Sequence, residues 1–366
     1  MAKLFIYDAT MTSEQAKITT RKLSLMSGLV AQSKDFIKMV GNALTVSAGV
    51  LIAVGESVFE TEETVLTAAN LDGGAAFEVG KDYCIYLCDP TDGDDTDPTP
   101  EVYVISKNTT IPAGYTASNS RKIGGFHYGK IRGVNAKWEP ISSGGTVKGS
   151  GWESNVSDGI IPNSVWTLQH RPTCDPSGMV YIGPFWADIY ADSDDGNGGL
   201  KSTYGVVPIT GTEGLNWYIA NERAMRVGKR LPSYAEWCKC AYGSPQGNDG
   251  DNNNAWSKTT NSARTTCGAV ANAVSSKNCR DCVGNVWEWV DELLHDPTAA
   301  SAGWYDVMPT DGVGQIYTYS NTALRALICG GIWNSGVHGG ARAVLTSHYP
   351  WSVSTNFGVR AVCDAL

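Results

Sequence analysis

Ten cysteines and five histidines carry the most reactive side chains of this 366-residue sequence, and their spacing limits the chemistry open to them. Cys279-Arg-Asp-Cys282 is a CxxC pair, and Cys238-Lys-Cys240 and Cys267 could join it as soft metal ligands. Structural zinc usually takes two ligand pairs with two to four intervening residues, which a CxC does not supply. Without an export signal, reduced thiols acting as small buried apolar groups are the expectation, with an occasional bond formed after release from the cell. His127, His170, His295, His338 and His348 form no HxxxH and no close pair. Oxygen donors are denser in the polar loop from Ser244 to Trp256, where Asn248, Asp249, Asp251 and Asn253 are candidate calcium ligands. That loop lacks the twelfth-position glutamate of an EF-hand, so calcium there would be irregular and structural. Asp188, Asp192, Asp194 and Asp195 form a second acidic group, which reads as a solvated loop.

The elements that must position these groups divide the chain in two. All twelve tryptophans fall between Trp138 and Trp351. Residues 1–42 show a faint helical stripe (Ile18, Leu25, Met26, Leu29, Val30) and read as a partly helical oligomerisation segment. Residues 43–132 carry short β-type runs, Leu44 to Val54, Ser57 to Leu66, Tyr83 to Leu87 and Val102 to Ile105, which predict a small antiparallel sandwich or barrel. The acidic stretch Asp89 to Pro100 lies between two of these runs as a hairpin loop. Residues 133–162 are rich in glycine and serine and read as a linker or strap. In the second half, Gly214 to Val227 predicts a helix with an apolar face that Gly228 stops. Ser233-x-x-Glu236 predicts a capping box opening a second helix. Val283 to Val290 alternates as a strand, with Trp287 and Trp289 opposite Val286, Glu288 and Val290.

Composition excludes several functions. Charged residues are 18% of the chain, glycine numbers 41, and 28 basic against 37 acidic residues leave a net charge of −9. No basic run suits a phosphate backbone, so nucleic acid is not an expected partner. The amino terminus shows no secretory signal, and the longest apolar run is less than half a membrane span, so no membrane insertion is expected. These features predict synthesis in the cytoplasm without a signal peptide.

Two resemblances enter on particular motifs. The run from GKDYCIYLCDP through YVISKNTTIPAGYTASNSRKIGGFHYG resembles a segment of phage and prophage tail proteins. KRLPSYAEW (Lys229 to Trp237), GNVWEWV (Gly284 to Val290), GGIWN (Gly330 to Asn334) and FGVRAV (Phe357 to Val362) together resemble the formylglycine-generating-enzyme type of C-type lectin fold. The resemblance implies an α+β class for the chain: a lectin-like ligand-binding domain over 163–366, preceded by the small antiparallel β domain and the partly helical N-terminus. It does not bring catalysis. The oxidase branch binds copper through paired cysteines after its GGS motif, and Trp333 to Arg342 contains none; the iron-dependent branch needs a histidine triad that is also missing.

The C-terminal tail is similar to the variable proteins of diversity-generating retroelements, tropism determinants of phages among them. Their last strands alternate a fixed framework with positions drawn from AAY-type codons. Here the framework is Gly330, Gly331, Trp333, Gly336, Gly339, Ala341, Arg342, Pro350, Ser352, Ser354, Gly358 and Arg360, within a variable region of about 325–366. The interleaved Ile332, Asn334, Ser335, Val337, His338, Ala343, Leu345, Ser347, His348, Tyr349, Val353 and Thr355 are the expected ligand-binding positions. Trp351 stands among them, although AAY codons do not become tryptophan codons. The mixture also suits an adaptable contact surface on chemical grounds, aromatics giving area and small polar groups giving hydrogen bonds.

The resemblance implies a non-enzymatic receptor-binding protein at a virion tail tip. Its partners would be a host cell-surface protein or glycan, other tail proteins, and copies of itself as a trimer. No cofactor is required on this reading, and the loop of Asn248 keeps structural calcium open. A formylglycine-type oxidase or iron oxygenase, and a purely structural tail or baseplate protein, are the alternatives.

Overall fold

Short apolar runs broken by glycines and polar turns fold into small antiparallel sheets rather than one large one. In the computed structural model the described residues are 2–3, 28–55, 57–74, 76–90, 102–296, 303–306, 314–318 and 321–366. They form two compact units, Met1–Tyr128 with Ser164–Arg171, and Gly129–Asn163 with Pro172–Leu366. Ser164–Arg171, assigned by sequence to the lectin-like domain, thus packs with the first unit. Residues 129–163, containing the whole of the expected strap, are part of the second.

In the first unit the predicted runs split at turns. Leu51–Val54 pairs with Ser57–Glu60, and Ala43–Val46 lies between Ile37–Val40 and Thr64–Leu66. Leu29–Val30 is a strand paired with Leu51–Val54, which corrects the helical reading at these two residues: they satisfy their main-chain groups across a sheet. The rest of that stripe, and the acidic stretch over 91–100, lie outside the described residues. Lys81–Cys88 and Val102–Ser106 do pair antiparallel, so the acidic stretch connects a hairpin. Ser120–Arg132 flanks Lys81–Cys88, with Trp166–Thr167 crossing it at Gly124 and Gly125. A Cβ on Gly125 would lie 2.5 Å from the Tyr83 carbonyl and 2.7 Å from the Trp166 ring, which is why glycine stands there. His127 is buried, its Nδ1 2.9 Å from the Asp82 carboxylate.

The second unit is mostly β, with two helices. Helix α1 (Trp217–Arg226) is capped by Asn216, whose side chain accepts from the Ile219 amide. Helix α2 (Tyr234–Ala241) opens on the predicted capping box, Ser233 accepting from the Glu236 amide and Glu236 from the Ser233 amide. The main sheet has six strands in the order Gly303–Asp306, Gln315–Thr318, Val344–His348, Asn321–Cys329, Trp287–Asp296 and Phe357–Val359. Phe357–Val359 runs parallel to Trp287–Asp296, and Gln315–Thr318 parallel to Val344–His348. A second sheet joins Met179–Tyr181, Phe185–Asp188 and Val362–Asp364.

Three of the sequence motifs meet at one buried point. Glu288 of GNVWEWV accepts from the Trp237 indole of KRLPSYAEW at 2.6 Å and from Arg360 of FGVRAV at 2.7 and 3.0 Å. The remaining Arg360 donors reach the carbonyls of Asp188, Ile189 and Arg280. An ion pair taken out of water survives only when its lone pairs and protons are all met, and here they are. Asp188 is likewise interior rather than in a solvated loop, taking Lys229 Nζ on both oxygens at 2.7 and 2.9 Å, and Asp192 is buried with it. Arg132 anchors residues 129–163 by hydrogen bonds to the carbonyls of Trp152, Glu153, Asn272 and Val274. Its burial lowers the guanidinium pKa to about 10.

Candidate functional site: the C-terminal display surface

The tail after Cys329 runs as a turn, a strand and a second turn. Its main chain is held by neighbouring segments while its side chains vary in exposure. In the first turn Gly331 takes φ +104°, and a Cβ there would lie 2.9 Å from Gly339 Cα, so the two glycines let the chain double back. The Gly336 amide donates to the Ser257 carbonyl at 2.5 Å, the Gly247 amide to the Gly339 carbonyl at 3.1 Å, and the Asn261 amide group to the Trp333 carbonyl at 2.8 Å. In the second turn the Trp217 amide donates to the Pro350 carbonyl at 3.0 Å, and the Gly211 amide to the Ser354 carbonyl at 2.9 Å. Each contact ends on a main-chain atom of the tail, so none depends on which side chain the tail carries.

The predicted contact residues separate by burial. Asn334, Val337, His338, Trp351, Val353 and Thr355 are exposed, with Val337 at 53%, Trp351 at 55% and Val353 at 57%. Ile332, Ser335, Leu345, Ser347, His348 and Tyr349 are half-buried. Ile332 and Leu345 pack partly against the core, and Ser335 accepts from the Ile332 amide to close the turn. Ala343 is fully buried beside Ala326 and Ile328, which corrects its assignment to the contact surface: its methyl faces the sheet's packed side.

Aromatic groups knit the surface together. Tyr349 and Trp351 stack with ring centres 5.1 Å apart, and the Arg325 guanidinium lies 4.0 Å over the Tyr349 ring while donating to the Ser347 carbonyl. The His348 ring meets Phe357 edge-on at 4.5 Å, and burial with the Arg325 charge lowers its pKa. His338 stacks on Trp304 at 5.1 Å, and Trp304 contacts Tyr317. Trp304 and Tyr317 precede the region singled out by sequence. Only strand pairing across the sheet brings them beside it, and no local pattern marks such pairing.

Two of the calcium candidates, Asn248 and Asp251, accept hydrogen bonds within their own loop: Asn248 Oδ1 from the Gly250 amide, and Asp251 from the Asn253 amide and the Asn254 side chain. Among the described residues no three His, Cys, Asp or Glu side chains gather as a metal site. The oxygens close turns, which is the chemistry Asn and Asp supply in loops. Asn248 and Asn254 also line a cavity of about 410 Å³ with Trp152, Tyr242, Gln246 and Arg342.

Comparison with known proteins settles the kinship of this surface. Over 350 residues the sequence is 30% identical to a tail fiber receptor-binding protein of Bordetella phage BPP-1, covering 89% of this chain and 81% of the relative. The chain belongs to the major tropism determinant family. Residues 34–153 match the family model of the Mtd second domain, and 169–365 match that of the sulfatase-modifying factor enzyme 1-like domain. Two solved major tropism determinants agree over most of the length. The I1 variant has a TM-score of 0.67 at 26% identity and the U1 variant 0.66 at 25%, each covering 92% of this chain and 86% of its own. The match to the sulfatase-modifying factor enzyme 1-like domain is one of fold, and the relative aligned over 89% of this chain is a receptor-binding protein.

Proposed function

We propose that the protein sits at the tip of a phage or prophage tail and binds a host cell-surface protein or glycan through the exposed side chains of its C-terminal tail. The observation carrying this reading is the separation of duties in the tail: framework donors hold main-chain carbonyls while Asn334, Val337, His338, Trp351, Val353 and Thr355 face outward. Such a surface can change its side chains without changing its fold, which is what diversification of a receptor-binding tail requires. The kinship to a tail fiber receptor-binding protein supports the location and the kind of partner. Weak single-site binding would be raised by several copies per particle, in a trimer.

The test uses the purified full chain on matched host and non-host cells. Saturable binding to one host is expected, together with loss of that binding when the six exposed positions are all changed to serine or alanine. Undiminished binding by that variant would overturn the reading. Binding is also expected to persist in excess EDTA, because the oxygens of Asn248 and Asp251 are engaged within their loop; its abolition would make calcium part of the function. Light scattering that returns a monomer would remove the trimer. A near-identical non-coding copy of the codons for about 325–360, differing at adenines and lying beside a reverse transcriptase gene, is the genomic expectation.

A further inference from the structure

The geometry points to a covalent cross-link site, independent of the receptor reading: Cys174 and Cys363 are placed to form a disulfide that ties the last strand to the segment just after Pro172. Both are free thiols in this structure. Pro172 and Ala365 form an antiparallel bridge, and the Thr173 amide donates to the Asp364 carbonyl at 3.0 Å. One residue further on each side stand Cys174 and Cys363, whose thiols are close enough to hydrogen-bond each other. A disulfide needs the two side chains brought to such close quarters.

A third segment fixes the two side chains on the same spot. The Cys363 sulfur lies 3.4 Å from the Gly228 carbonyl oxygen, and a Cβ on Gly228 would lie 3.4 Å from Cys174 Cβ. Gly228 has φ +72°, which ends helix α1 and leaves this space clear of a side chain. The Cys174 thiol and the Thr173 hydroxyl both donate to the Cys363 sulfur, and together they hold Cys363 at about 6. The same contact raises the Cys174 thiol and favours the thiolate on Cys363, the form that attacks. Burial drives the thiols of Cys267, Cys282 and Cys329 well upward, which leaves them inert by comparison.

The step needs an oxidant, and a small-molecule disulfide such as oxidised glutathione supplies it. One thiolate of the pair attacks a glutathione sulfur, forming a mixed disulfide and releasing one glutathione thiolate. The second cysteine, deprotonated, then displaces the other. Two protein thiols are oxidised to one disulfide, one glutathione disulfide is reduced to two thiols, and two protons pass from the protein to the thiolates or solvent. In reducing cytoplasm the bond stays open, and outside the cell it closes.

The full chain is incubated with oxidised or with reduced glutathione, alkylated, and mapped by mass spectrometry, alongside Cys174→Ser and Cys363→Ser. The expected result is a Cys174–Cys363 peptide in the oxidised sample alone and a rise in Tm of roughly 5 °C or more, because the bond closes a very long loop. Each variant should lack both the cross-link and the oxidant-dependent rise; Cys174→Ser, at a half-exposed position, serves if Cys363→Ser does not fold. Persistent alkylation of both cysteines after oxidation, a lasting glutathione adduct on either, or a bond to another cysteine would overturn the assignment.

Discussion

Ala343 and Trp351 belong to the same tail and were picked out by the same argument, yet one is fully buried and the other is 55% exposed. Composition marks a stretch where side chains are mixed, but it cannot say which of them point inward, because that depends on strand register and on the segments laid against it. Trp351, large and beside Pro350, stacks on Tyr349, whose ring in turn carries the Arg325 guanidinium. Trp351→Ala is expected to weaken receptor binding about 10- to 100-fold with Tm unchanged within about 1 °C, since exposed aromatic anchors act on binding more than on folding. Equal binding by this variant in a titration on host cells would remove the anchor. Ala343→Asn should do the reverse, costing about 2–4 kcal/mol in chemical denaturation by forcing an unpaired amide into the core. His348 adds a pH dependence. Burial beside Arg325 lowers its pKa from an ordinary value near 6.5. The unfolded chain therefore binds the proton more readily, and stability present above about pH 6.5 is lost as the pH falls. Denaturation midpoints of His348→Gln should lack that part of the acid slope.

The secondary elements were far more legible than their contacts. The capping box at Ser233 and the stop at Gly228 follow from rules of a few residues' range, and the structure has both. The strand expected over Val283–Val290 begins only at Trp287, because Gly284 and Asn285 turn at φ +84° and +61°. What the sequence could not show is that Trp237 on a helix, Glu288 on a strand and Arg360 in the link between the last two strands are there for one another. It was also silent on Asp188 and Asp192, which look like a hydrophilic loop and are interior. Two predictions rest on these contacts. Arg360→Met leaves the Glu288 carboxylate buried without its cation and should cost about 3–5 kcal/mol, whereas adding Glu288→Gln should restore part of that loss. A double variant no more stable than the single would show that the pair is not coupled. Asp192 is the second case: burial and the neighbouring Asp188 carboxylate raise its pKa well above the usual range. A raised carboxyl contributes stability below about pH 4, and that contribution is lost as the pH climbs through the folded-state pKa. Asp192→Asn keeps an acceptor for the Ala361 amide, which Asp192 Oδ2 takes at 2.8 Å, and offers a donor toward Asp188. It should be as stable as the parent or more so at pH 7, with a flatter stability curve between about pH 4 and 7.

At the level of the whole molecule, the confinement of tryptophan to residues beyond 137 foreshadowed two units, but not the exchange of Ser164–Arg171 into the first and of Gly129–Asn163 into the second. Composition reports which residues a segment has, while unit membership depends on the partner each segment finds. Low charge and abundant glycine acquire a physical sense in the second unit. Turns such as that at Gly331 and Gly339 are closed by main-chain contacts, so the fold depends little on the side chains those turns display. This makes the tail's tolerance a measurable property. Simultaneous substitution of Asn334, Val337, His338, Val353 and Thr355 by other small polar or aliphatic residues should shift stability by no more than about 2 kcal/mol in total, because exposed changes are each within about 0.5 kcal/mol and well-separated ones add. The same number of changes at Gly331, Gly336, Gly339, Ala343 and Arg360 should abolish cooperative unfolding, since each removes a close approach, a packed methyl or a buried ion-pair partner. Cells would then be bound differently by the first variant and not at all by the second. If the five exposed changes alone unfolded the protein, the tail would be an ordinary part of the core and could not serve as a surface that changes its specificity.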